Sequence, residues 1–180
     1  MKRMTSDDVM KALEALGSER TKTRTLKQGA KEPLFGVALG AMKPLFKSIG
    51  IDQALAEALY ASGNYDAMVF AGMIADPRGM TQDDFNRWMN QAYFFMISDY
   101  VVAVTLSESP IAQTVADAWI DSYEDLHQSA GYSCYCWLLG SQQDHHFDQK
   151  KIQSMLERIK ATIHSSSNRC RYAMNQFVMT

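Results

Sequence analysis

Apolar residues recur at helical spacing along almost the whole of this 180-residue chain, and each such stretch is cut short by a glycine, a proline or a capping residue. A chain patterned in this way can bury its apolar stripes only by packing short helices against one another. Ser6 can cap a first helix, with Asp7 and Asp8 at its positive end, Val9, Met10, Leu13 and Leu16 on one face, and Gly17 as its stop. A short basic helix is expected from Glu19 to Gln28. A loop over 33–40 then leads into a helix through Met42, Leu45, Phe46 and Ile49, with Pro44 in or near its first turn. Asp52 caps the next helix, which ends at Gly63-Asn64. Tyr65 to Ala75, small and apolar, reads as a buried helix broken by Asp76-Pro77-Arg78-Gly79. Thr81 with Asp84 three residues on makes a capping-box start for Phe85, Trp88 and Met89. Further helices are expected over 98–107, 110–121, 123–139 (ended by Gly140), 148–164, and from about Ser167 onward.

Strand signals are scarce. Val101-Val102-Ala103-Val104-Thr105 is β-branched, but no neighbouring run alternates with period two to pair with it. The expected architecture is all-α, with roughly ten short helices stacked in pairs as an α-α solenoid in a single domain over 1–180. Trp88-Met89-Asn90 with Tyr93 is echoed by Trp119-Ile120-Asp121 with Tyr123, 31 residues later, a length typical of helical repeats. With 47% hydrophobic and 21% charged residues the chain is neither disordered nor membrane-spanning. Met1 to Asp8 has no apolar run behind its positive charges, which argues against a secretory signal. Three cysteines, Cys134, Cys136 and Cys170, are an odd number and read as free thiols in a reducing, cytoplasmic setting.

The charges are unevenly placed. Residues 1–50 hold ten Lys/Arg against five Asp/Glu, residues 51–149 two against fourteen, and residues 150–180 six against one. Basic ends can grip a phosphate backbone that the acidic middle repels, and Lys22, Arg24, Lys27, Arg169 and Arg171 are the cations of interest. Equally, such charges can simply solvate helix faces. Phosphate-loop, nucleophile-elbow and zinc-protease signatures are missing. Cys134-x-Cys136 lacks zinc spacing, and Asp144-His145-His146-Phe147-Asp148 places adjacent side chains that rarely converge on one ion, so neither a metal nor another cofactor is expected. The cluster of interest is Tyr93 to Tyr100. On a helix, Phe95 and Asp99 fall at i and i+4 on one face, and a carboxylate beside a ring can stabilise a cationic transition state. The other reading is that Ser98 or Asp99 caps a helix.

Phe35-Gly36-Val37 with Gly40 and Lys43, then Ala54 to Leu59, Ser62-Gly63-Asn64-Tyr65-Asp66-Ala67, Ala71-Gly72-Met73-Ile74-Ala75-Asp76 and Arg171-Tyr172-Ala173-Met174-Asn175, resemble the DNA alkylation repair family, the AlkD-like alkylpurine DNA glycosylases. The resemblance runs from about residue 18 onward and implies a HEAT-like helical-repeat superhelix. Its concave basic face would hold duplex DNA, and the enzyme would hydrolyse the N-glycosidic bond of a cationic alkylpurine without metal. It implies Asp99 as the catalytic carboxylate and Phe95 as its ring, where a Trp is usual. The family's arginine falls at Gln128, which carries no charge, and its second aromatic at Gln176. The resemblance also implies at least one further C-terminal repeat. The expectation is therefore a DNA alkylation repair protein with an incomplete glycosylase site. The alternative is a non-catalytic helical scaffold for a protein partner or an unusual DNA structure.

Overall fold

The computed structural model describes residues 4–180, the side chain of Asp144 excepted. Lys2 and Arg3, and with them the start of the N-terminus read above as lacking a signal, lie outside the described residues. Twelve α-helices are present among the described residues and no strand; the one β feature there is an isolated antiparallel bridge between Gly17 and Val37. Among the described residues no helix is long and apolar enough to cross a membrane. The chain packs as two compact units, one running to Pro77 and the other from Arg78 to Thr180.

The first unit contains α1 (Ser6–Leu16), α2 (Glu19–Lys27), α3 (Leu39–Ile49), α4 (Gln53–Ala61) and α5 (Tyr65–Ile74). Val9, Leu13, Met42, Ala56, Leu59, Ala67, Phe70 and Ile74 form its core. Thr5, not Ser6, caps α1. Its hydroxyl accepts the Asp8 amide at 3.2 Å while Asp8 accepts the Thr5 amide at 3.0 Å, a reciprocal box that a cap at Ser6 has no acidic residue in place to close. Pro44 lies beyond the first turn of α3, inside the helix, so the Gly40 carbonyl goes without its intrahelical donor. The loop before α3 is tied down from α5. Asp66, in the first turn of α5, accepts the amides of Phe35 (2.6 Å), Gly36 (3.0 Å) and Val37 (2.8 Å). Gly36 is required there, because its φ is +78° and a Cβ would overlap the Lys22 backbone nitrogen.

The second unit opens with α6 (Gln82–Gln91), whose Thr81–Asp84 capping box forms as the spacing predicts. A continuous helical run follows: α7 (Phe95–Ile97), one π turn (Ser98–Val102) and α8 (Ala103–Ser107). Next come α9 (Ala112–Ile120), α10 (Asp125–Ser141), a short 3-10 turn (Asp144–His146), α11 (Gln149–Thr162) and α12 (Asn168–Met179). The run expected to begin at Ser98 therefore begins at Phe95. Gly140 does not end its helix but lies within α10, one residue from its end. That helix is the unit's centre, packed against the π turn, α8, α9 and α12. Gly131 lets α9 approach it, since a Cβ would meet the Ala116 carbonyl oxygen at 2.7 Å. The echoed tryptophans, Trp88 and Trp119, are both buried late in their helices, and Trp119 donates its indole N–H to Asn86 at 2.9 Å.

Candidate functional site

The π turn is where the second unit places its buried carboxylate. A π turn widens the helix by one residue and loosens its hydrogen-bond ladder, and such turns concentrate at functional sites. Within it, Asp99 is only 1% exposed. Its backbone carbonyl turns outward to accept the Trp137 indole N–H of α10 at 3.4 Å. The alternative reading of Ser98 or Asp99 as a helix cap is overturned: the helical run starts three residues before Ser98, with Phe94 at the capping position, so both residues lie inside it.

Both oxygens of the Asp99 carboxylate are engaged. Oδ1 accepts the Ser98 hydroxyl at 2.7 Å. Oδ2 accepts the Ser129 hydroxyl of α10 at 2.6 Å and the Arg169 Nε–H of α12 at 2.7 Å, and the Arg169 Nη2 closes a second ion-pair contact on the same oxygen. A buried carboxylate without such partners would be strongly disfavoured. The Arg169 guanidinium is itself held between rings: 4.4 Å from the Phe95 centroid, 4.5 Å from that of Tyr172 and 6.0 Å from that of Tyr100. Burial raises the Tyr100 hydroxyl above its ordinary pKa, helped by neighbouring Tyr172 and opposed by Arg169. The site adjoins a cavity of about 230 Å³ lined by Asp99, Tyr100, Ser133, Cys136, Trp137, Arg169, Tyr172 and Gln176. Burial pushes the Cys136 thiol up to about 11, which makes it a poor nucleophile at neutral pH.

The structure thus brings Phe95, Asp99, Arg169 and Gln176 together. Gln128 lies apart from the carboxylate. Its amide donates to the Ser122 carbonyl at 2.5 Å and accepts the Cys170 thiol at 3.4 Å, which ties the start of α10 in place. The residue that turns from α10 to Asp99 is its neighbour Ser129, about 100° round the helix. Arg171 spends its guanidinium on the carbonyls of Ile163, His164 and Ser166, each at 3.2 Å, at the end of α11. In the first unit Lys22 pairs with Glu32 at 2.8 Å, and this contact raises the Lys22 pKa and lowers that of Glu32. Arg24 and Lys27 are exposed in the last turn of α2 and make no ion pair among the described residues. Among the described residues no three His, Cys, Asp or Glu side chains converge as metal ligands.

Sequence reasoning missed Ser129, Tyr100, Trp137 and Tyr172, and did not foresee the pairing of Arg169 with Asp99. Only Tyr100 carried a local signal, by closing the aromatic run that contains Phe95 and Asp99.

Comparison with known proteins adds four findings. A family model described as DNA alkylation repair enzyme matches residues 9–178. An uncharacterised protein of Listeria innocua, Lin0241, is 28% identical over 98% of this chain and 78% of its own length. Its Listeria monocytogenes counterpart Lmo0209 is 27% identical over the same shares. A solved structure is 61% identical, with a TM-score of 0.95 over 97% of this chain and 74% of that one. It is described as belonging to a new family of proteins related to the HEAT-like repeat DNA glycosylases with affinity for branched DNA structures. The all-α, HEAT-like repeat fold follows from that likeness.

Proposed function

Because this chain belongs to the DNA alkylation repair enzyme family, we propose that it is a DNA-binding member that recognises branched or distorted duplexes and releases alkylated purines weakly or not at all. The observation that carries this reading is the state of Asp99. Excision needs an oriented carboxylate that faces positive charge developing on the substrate as the sugar–base bond breaks. Asp99 instead faces a positive charge of the protein's own, Arg169, with both oxygens occupied and one face each of Phe95 and Tyr172 taken by that guanidinium. The affinity of a 61%-identical relative for branched DNA supports the choice of ligand.

Backbone contacts fall to Arg24 and Lys27, which are exposed and make no ion pair among the described residues, while Lys22 on the same helix is held by Glu32. Arg169 and Arg171 are occupied by the protein itself and Gln128 by the start of α10. Three free cysteines suit a reducing, cytoplasmic setting.

Two measurements test the proposal. Gel-shift titration is expected to show a branched junction bound more tightly than linear duplex of the same length. Charge reversal of Arg24 and Lys27 should weaken both, and reduce the logarithmic salt slope by roughly 0.9 for each phosphate that is no longer neutralised. Base release from methylated DNA is expected to be near background for the protein and for Asp99→Asn alike. Robust release that Asp99→Asn abolishes would overturn the non-excising half, and failure to bind any junction at low salt would overturn the binding half.

A further inference from the structure

Around the 230 Å³ cavity three rings stay nearly half exposed: Tyr100 at 42%, Trp137 at 43% and Tyr172 at 46%. They are contiguous, since Tyr100 meets Trp137 edge to face at 6.5 Å, and Arg169 lies between Tyr172 and the Phe95–Tyr100 pair. Exposed aromatics gathered on one concave patch mark a contact surface rather than a core. The chemistry of that surface is restrictive. Arg169 and Asp99 neutralise each other, so the lining offers no uncompensated cation to a phosphate. At about 230 Å³ the cavity is smaller than the ~300–1,000 Å³ of drug-sized sites, which leaves room for one planar fragment. Gln176 completes the lining with a side-chain amide that makes no hydrogen bond among the described residues and offers both donor and acceptor.

A flat, neutral, π-faced ligand with a hydrogen-bonding edge is a nucleobase. In a continuous duplex every base is stacked and its edge paired, so only an unpaired base can enter. We propose that this cavity receives a single unpaired nucleobase at a DNA branch point, stacked on Trp137 and Tyr172 with Gln176 at its edge. This rests on the DNA-binding reading above and supplies its structural selectivity, because branch points free bases that linear duplexes keep stacked.

The test uses the full chain and three fluorescent DNAs: a three-way junction with unpaired thymines at the branch, the same junction with abasic residues in their place, and linear duplex. Stacking is expected to favour the unpaired-base junction over the abasic one by roughly five- to hundredfold. Trp88 and Trp119 are 1% and 3% exposed, so quenching of intrinsic fluorescence by DNA reports on Trp137. Trp137→Phe should abolish the quenching yet keep most of the preference, whereas Trp137→Ala and Tyr172→Ala should bring the two junctions to equal affinity. Equal affinity of the unaltered protein for the two junctions overturns the base cavity while leaving branch binding intact. Binding to neither junction instead overturns the proposed function from which it follows. If Trp137→Ala does not fold, the unaltered protein's two junction affinities and Tyr172→Ala still decide the matter.

Discussion

Asp66 and Asp99 are both buried carboxylates, 0% and 1% exposed, each in an unbroken run of helix and each accepting at least three hydrogen bonds. They differ in what donates. Asp66 is held by three consecutive backbone amides of the 35–37 loop, donors fixed by the chain itself. Asp99 is held by side chains from three separate elements, Ser98, Ser129 and Arg169, and lies against a cavity rather than a loop. The first arrangement can only tie a loop to a helix. The second uses groups with rotamers to change, beside space for a ligand. Burial and residue type are the same for both; what separates them is the kind of donor and the neighbouring volume.

Removing Asp66 should be the costlier change. Asp66→Ala strands three amides, two of them buried, and is expected to destabilise the protein by roughly 3–6 kcal/mol. Urea unfolding checks this, and no single partner substitution should rescue it. Arg169→Ala leaves Asp99 buried and uncompensated, an expected loss of about 3–5 kcal/mol. Here rescue should work: Arg169→Met combined with Asp99→Asn is expected to recover most of that loss, because neither a cation nor an anion is then left alone. Failure of this cycle to couple would erase the distinction drawn between the two aspartates. Tyr172→Leu removes one face of the guanidinium sandwich and should cost on the order of 1 kcal/mol.

The smallest effect belongs to a surface aspartate that serves as reference for both. Asp84 accepts the Thr81 amide and hydroxyl and then Arg87, and these contacts lower its pKa. A lowered carboxylate contributes stability above its unfolded value, roughly 3.9, and loses it as the pH falls through the lower folded value. Urea midpoints measured from about pH 6 to about pH 2.5 should therefore show a shallow acid loss that Asp84→Asn removes. Thr81→Ala should cost about 1 kcal/mol at neutral pH.

Much of this molecule was legible before folding. Capping residues at Asp52 and Thr81, and breakers at Gly17 and Asp76-Pro77, mark helix ends because local hydrogen bonding and φ limits act over three or four residues. Where two neighbours could cap, as at Thr5 and Ser6, the reciprocal bond to Asp8 decided between them. Gly140 misled because a glycine near a helix end permits termination without requiring it. In the site, Phe95 and Asp99 were found by their spacing and by resemblance to a known family.

The helical pattern, the all-α class and the pairing of ring with carboxylate are properties of contacts a few residues apart, and residue order alone encodes them. Beyond neighbouring Ser98, the partners of Asp99 are not of that kind. Ser129 lies 30 residues away and Arg169 lies 70, and no local periodicity relates either to the π turn. Gln128 and Ser129 are adjacent in sequence, yet about 100° of helical rotation sends one to the Ser122 carbonyl and the other to the carboxylate. That Arg169 pairs with Asp99 follows only from the packing of α12 on α10, which brings the guanidinium between Phe95 and Tyr172. A buried charge takes the nearest opposite charge the fold supplies, and that distance exists only in three dimensions.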